Sequence, residues 1–96
     1  MCVVIVGGVK GIEREYKQMM KSYGLKCKIF NKKVPDFKKR IQNVDALILL
    51  TNTVSHKLST QSLKVCRDNK ILLKRTHSSS LTKLEQTIKE IKNDIK

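Results

Sequence analysis

The sequence predicts an α/β fold of three layers, α/β/α, built on a four-stranded parallel sheet. Three observations carry that expectation. Two runs, Cys2-Val3-Val4-Ile5-Val6 and Ala46-Leu47-Ile48-Leu49-Leu50, are apolar without interruption, as strands covered by helices on both faces must be. Strand-like and helix-like runs alternate along the chain in the order βαβαβαβα, with turn residues between them. Helical crossovers of this length force neighbouring strands into parallel pairing. The 96 residues, 40% of them hydrophobic, suit a single domain over 1–96 with a modest core that needs no metal or disulfide staple.

Each element has its own signal. The first strand, Cys2 to Val6, breaks into Gly7-Gly8-Val9-Lys10-Gly11, a strand-to-helix turn of the kind that brings backbone N–H groups close to a ligand. Ile12, Tyr16, Met19, Met20 and Tyr23 recur at helical spacing and Gly24 stops that helix. Leu25-Lys26-Cys27-Lys28-Ile29 alternates, the mark of an edge strand. A short second helix, marked by Phe37, Ile41 and Val44, follows Pro35-Asp36. The third strand is Ala46 to Leu50, and the third helix, entered through Thr53 or Ser55, carries Val54, Leu58, Val65 and Cys66. Ile71-Leu72-Leu73, bracketed by lysines, is the second edge strand. The last helix starts near Ser80, with Thr82 and Glu85 spaced as a capping box. Its Leu81, Leu84, Ile88, Ile91 and Ile95 form a narrow heptad seam. Packing on the sheet accounts for most of that seam, and its Ile91 and Ile95 end suggests a homodimer contact.

With strands one and three central, the simplest strand order is 2-1-3-4, a truncated Rossmann-like or flavodoxin-like sheet. Ligands of such sheets bind beyond the carboxyl ends of the strands, where the crossovers reverse direction. That rule gathers Gly7, Gly8 and Lys10 with Thr51, Asn52 and Thr53, and flanks them with His56, Arg75, His77, Ser78 and Ser79. Backbone donors of the glycine turn, the Arg75 guanidinium and the hydroxyl and imidazole groups are together suited to a phosphate-bearing ligand. A simpler reading also accounts for many of these residues, because Ser, Thr and Asn are the preferred helix caps and glycines permit tight turns.

Several specific chemistries fail on position. The glycine turn has Val6 where the dinucleotide fingerprint needs its first glycine, and Asn31-Lys32 where the ribose carboxylate belongs. Lys10 precedes Gly11 and no Lys-Ser or Lys-Thr pair follows, so it is not a P-loop. Strand three ends in Thr51, not in the acid of a phosphorylatable receiver. Cys2 stands at the start of strand one, on the pole away from a phosphatase nucleophile. Asp36, Asp45 and Asp68 fall in loops or at the opposite pole, leaving neither histidine an orienting carboxylate. The pattern therefore points to binding ahead of catalysis, with a homo-oligomeric interaction or structural module that holds no small-molecule ligand as the alternative, and a histidine-dependent enzyme behind it. Two histidines without acids or cysteines nearby make a sparse metal site, and the residues specify no cofactor.

Composition bounds the setting. Lys and Arg number 21 against 8 Asp and Glu, a formal net charge of +13, which attracts polyanions and makes nucleic acid a candidate partner. Aromatic residues are only 4% of the chain, too few for a base-stacking platform. Lys26 and Lys28 also have a purely protective role, keeping an edge strand from pairing with another chain. Cys2, Cys27 and Cys66 are odd in number and set in apolar patterns, which reads as reduced thiols of a cytoplasmic protein. No apolar run is long enough to span a membrane, and no basic segment precedes the first strand as in a signal peptide.

The same residues carry a resemblance. The opening CVVIVGG, the third strand ending in Thr51 with Val54-Ser55-His56 soon after, and the segment from Arg75 to Ser79 resemble an uncharacterised bacterial family, domain of unknown function 2325. The resemblance spans nearly the whole chain and implies a small Rossmann-like domain, found alone or attached to larger proteins. It implies no activity and no catalytic residues. Gly7, Gly8, Thr51, His56, Arg75, His77 and Ser78 match the family's pattern, and the lysine excess is not part of it.

Overall fold

A computed structural model of the chain describes residues 1–7, 13–30, 36–51, 54–77 and 80–95. Four strands alternate with four helices: β1 (Cys2–Val6), α1 (Glu13–Ser22), β2 (Lys26–Phe30), α2 (Phe37–Ile41), β3 (Ala46–Leu50), α3 (His56–Asn69), β4 (Leu72–Thr76) and α4 (Leu81–Ile95). The sheet is parallel throughout and its order is β2-β1-β3-β4. This is the expected three-layer arrangement, with the direction of the crossovers reversing between β1 and β3.

Burial follows from that order. Every residue of β3 and Val3 to Val6 of β1 is buried, because both strands lie inside the sheet and both of their faces are covered. Alternation divides them between two cores. Val3 and Ile5 pack with Ile48, Tyr16, Met20 and Ile88 beneath α1 and α4. Val4 and Val6 pack with Leu49, Phe37, Ile41 and Leu58 beneath α2 and α3. At the amino pole the Cys2 N–H donates to Asp45 Oδ2 at 2.8 Å while the Asp45 N–H donates to the Cys2 carbonyl at 2.9 Å. This reciprocal pair locks the starts of the two central strands together.

The edges differ from the expectation by small shifts with physical causes. Leu25 is buried but precedes β2, and Phe30 closes the strand, where its ring meets Phe37 edge-on at 5.4 Å between centroids. β4 runs on through Lys74 and Arg75 to Thr76. An edge strand tolerates such residues, and the Lys74 ammonium meets the Asp94 carboxylate of α4 at 2.7 Å.

Helix ends follow local chemistry. α1 stops at Gly24 (φ +75°): the Gly24 N–H donates to the Lys21 carbonyl and the Leu25 N–H to the Met20 carbonyl, both at 2.9 Å, the two bonds of a Schellman motif. Lys70 does the same work after α3 with φ +55°, and the Ile71 N–H donates to the Cys66 carbonyl. Of the two candidate caps for α3, Ser55 is the one used, its Oγ accepting from the Leu58 N–H at 3.2 Å. The expected capping box at Thr82 does not form. Ser80 Oγ accepts from the Lys83 N–H at 3.3 Å, so Thr82 falls inside the first turn of α4. Glu85 instead accepts the Tyr23 hydroxyl at 2.8 Å, pinning α4 to the end of α1. That bond, with burial and the Glu85 charge, pushes the Tyr23 phenol up.

The same packing decides the fate of the heptad seam. Leu84, Ile88 and Ile91 are 1%, 0% and 0% exposed within a single chain, and all three belong to the core under α1 and α4. Ile91 is thus absorbed by the sheet and is not available to a second copy; the side chain of Ile95 lies outside the described residues.

Candidate functional site

The carboxyl pole of the sheet is built differently from the amino pole. Gly7 follows β1 with φ +100°, a conformation that favours a residue without a side chain. Its N–H donates to the Phe30 carbonyl at 2.8 Å, so it continues the β1–β2 ladder for one more residue. Gly7 therefore contributes shape to this pole, while its amide is engaged in the sheet and is not a free donor for an anion.

Across the sheet, β3 and β4 also extend beyond their last paired residues. The Thr51 N–H donates to the Thr76 carbonyl at 2.9 Å, and the Thr51 hydroxyl lies 3.3 Å from the same carbonyl oxygen. Thr51 Oγ1 is 2.9 Å from His77 Nδ1. A hydroxyl that donates to the Thr76 carbonyl accepts from a protonated Nδ1; one turned toward the ring donates to an unprotonated Nδ1. In either arrangement the bond holds the ring through Nδ1 and leaves Nε2, which has no partner among the described residues, on the exposed side. His77 is exposed and Thr51 half-buried. This is the polar constellation the strand order leads one to expect beyond the central strands.

His56 is the first residue of α3 and is exposed. It stands at the helix start that follows β3, and its carbonyl accepts the Thr60 hydroxyl at 2.9 Å. Arg75 is placed by the register of β4. Its strand position pairs with Leu49, on the sheet face covered by α2 and α3, and it lines an open groove of about 430 Å³ together with Leu63, Cys66, Arg67, Ile71 and Leu73. Arg75 thus lies along the flank of β4 that faces α3, two residues before His77 in the chain. Arg67 joins this groove without standing in any motif of the sequence. Its signal is one of periodicity: it lies one helical turn after Leu63 on α3, and alternation puts Ile71, Leu73 and Arg75 on one face of β4.

Gly8, Lys10, Asn52, Thr53, Ser78 and Ser79, the remaining candidates, lie outside the described residues. Among the described residues no three His, Cys, Asp or Glu side chains gather as a metal site, and no helix is long and apolar enough to cross a membrane. The thiols of Cys27 and Cys66 are each pushed up to about 11, chiefly by burial, so neither is a ready nucleophile at neutral pH.

With this geometry in place, the comparisons with known proteins place the chain in one family. It belongs to the domain of unknown function 2325 family, described as uncharacterized proteins conserved in bacteria, whose model matches residues 2–91. No curated protein and no solved structure matches the chain.

Proposed function

We propose that this member of the family is a small non-enzymatic binding module that holds a phosphate-bearing ligand, a nucleotide or a simpler anion, at the carboxyl pole of its sheet. The Thr51–His77 hydrogen bond carries the proposal. A histidine held through Nδ1 presents Nε2 in a fixed direction at the carboxyl ends of β3 and β4, one strand along from the β1/β3 switch point beside which ligands of doubly wound sheets bind. The opposite pole is closed by the mutual hydrogen bonds of Cys2 and Asp45. His56, at the start of α3, brings a second ring donor and the positive end of a helix dipole to the same pole. Gly8 and Lys10 after β1 and Ser78 and Ser79 after His77 are the further candidate donors in this reading, with Arg75, two residues before His77 in the chain, as a counter-charge. The cysteines, reduced and partly buried, fit a cytoplasmic setting.

Binding is the reading favoured over catalysis because, among the described residues, no carboxylate is hydrogen-bonded to either histidine and no third member completes a relay with the Thr51–His77 pair. Calorimetric titration with inorganic phosphate and with nucleoside mono-, di- and triphosphates tests it. Wild type is expected to bind at least one of these, with His77→Ala and Thr51→Val each weakening binding about tenfold, the loss of one charge-assisted hydrogen bond. Absence of heat with all of them, or equal affinity in wild type and both variants, refutes the proposal.

A further inference from the structure

The charge of this molecule is unevenly divided between its two helical layers. On the α1 and α4 side, Glu13 and Glu15 accompany the α1 cations, and Glu85, Glu90 and Asp94 accompany those of α4. Several are paired: Lys89 with Glu85 at 3.6 Å and Lys74 with Asp94 at 2.7 Å. The other layer has little to offset it. α2 exposes Lys38, Lys39 and Arg40 in succession, and α3 exposes Lys57, Lys64 and Arg67. Beside α2, Lys26 and Lys28 of β2 are exposed on the same face of the sheet as Phe30, since Cys27 and Ile29 turn to the opposite core. The acids on this side are Asp36 and Asp68, the latter 3.8 Å from Arg67, together with Asp45 at the amino pole, where its carboxylate already accepts the Cys2 N–H. Among the described residues, the eight cations named here exceed Asp36 and Asp68 by six, whereas the six cations of α1 and α4 exceed their five acids by one.

We infer that the α2/α3 face, extended by the β2 edge, docks on the phosphate backbone of a nucleic-acid duplex. This surface is separate from the carboxyl-pole site and the inference does not rest on the function proposed for it. Three features select the duplex. The cations on α2 and β2 are mainly lysines, point charges suited to tracking phosphates without reading bases. No aromatic ring is exposed there for stacking among the described residues: Phe37 is 4% exposed, and Phe30 is half-buried and in contact with it, which disfavours a single strand. No apolar wedge stands out on this face either. The only exposed large hydrophobic side chain among the described residues is Met1, at the start of β1, which disfavours insertion into a bilayer.

Size sets the scale of the contact. No axis of the molecule exceeds 30 Å, about nine base pairs at ~3.4 Å each, and one helical layer reaches about five phosphates. Release of counterions then gives log K against log salt a slope of about −4.5, or about 500-fold weaker binding at 200 than at 50 mM salt. The test is fluorescence anisotropy with labelled DNA and RNA duplexes of about twenty base pairs, twice the span of the protein. The substitutions Lys38→Gln, Lys39→Gln and Arg40→Gln together are expected to flatten the slope by about two to three and weaken low-salt binding at least tenfold. Lys17→Gln, Lys21→Gln and Lys83→Gln together change net charge equally on the other layer and are expected to alter the slope by less than about one. All six positions are exposed, and circular dichroism confirms that both variants remain folded. Duplex binding that survives His77→Ala while phosphate binding is lost separates the two surfaces. Equal slopes in both triple variants, no duplex binding at low salt, or tighter binding to phosphatidylserine vesicles than to duplex overturns the inference.

Discussion

Substituting Ile91 by Ala separates two destinies for the apolar seam of α4. A seam that served a second copy would leave the single chain nearly as stable once shortened, whereas Ile91 is fully buried beneath α1 and α4 in one chain. The change removes three carbon atoms, worth about 2.4 kcal/mol of transfer free energy at ~0.8 each. The cavity left behind raises the total to about 3–4 kcal/mol, within the range of about 2–5 for such truncations. A domain of this size is stable by only about 5–15 kcal/mol, so the loss is a large fraction of the whole. Urea unfolding followed by circular dichroism reads it directly. With an m-value of about 1 kcal/mol/M, the midpoint is expected to fall by about 3 M, by the same amount at low and high protein concentration. A fall below about 1 M, or one whose size depends on protein concentration, would show that Ile91 is not a single-chain core residue and refute the packing described for α4.

Other outcomes follow from particular positions. Gly24 and Lys70 do the same left-handed work at φ +75° and +55°, and an added Cβ at Gly24 meets nothing within 4 Å. Gly24→Ala is thus expected to cost about 1 kcal/mol through backbone strain alone, and Lys70→Gly to gain about 0.5–1 kcal/mol; thermal unfolding that moves both in one direction contradicts this. Gln61 Oε1 is buried without a hydrogen-bond partner among the described residues, so Gln61→Met is expected to raise stability by about 1 kcal/mol in urea titrations. Burial lifts Cys27 and Cys66 from the ordinary 9.0 to about 11, so the folded state holds protons that the unfolded state releases first. Stability is accordingly expected to be level below pH 9 and to fall as pH rises toward 11, and Cys27→Ser with Cys66→Ala should flatten that fall in alkaline unfolding curves.

The central architecture could be read from the chain because β1 and β3 are apolar on both faces, and in so short a sequence two such runs fit little besides the inner strands of a covered sheet. The edges were harder. β4 conceals its length because Lys74 is matched by Asp94, twenty residues away on α4, a contact that no local pattern reveals. The Thr82–Glu85 spacing imitates a cap, yet Glu85 is drawn to Tyr23 on α1, so tertiary contact outweighs a local motif. At the carboxyl pole, strand order alone was enough to bring Thr51 and His77 together, since they end neighbouring strands. Arg75 was placed by its rank along β4 and not by its side of the sheet; counting alternation from Leu73 puts it over α3's flank. The engaged amide of Gly7 was not legible, because the glycine turn signals conformation and says nothing of which carbonyl its N–H will meet.

The most direct test of the binding proposal is calorimetric titration of wild type and His77→Ala, side by side, with inorganic phosphate and with nucleotides at the carboxyl pole. The Thr51–His77 constellation predicts saturable binding of a phosphate-bearing ligand by wild type that weakens about tenfold when the ring is removed. Binding that is indifferent to His77, or no binding of any phosphate by the folded wild-type protein, would contradict it.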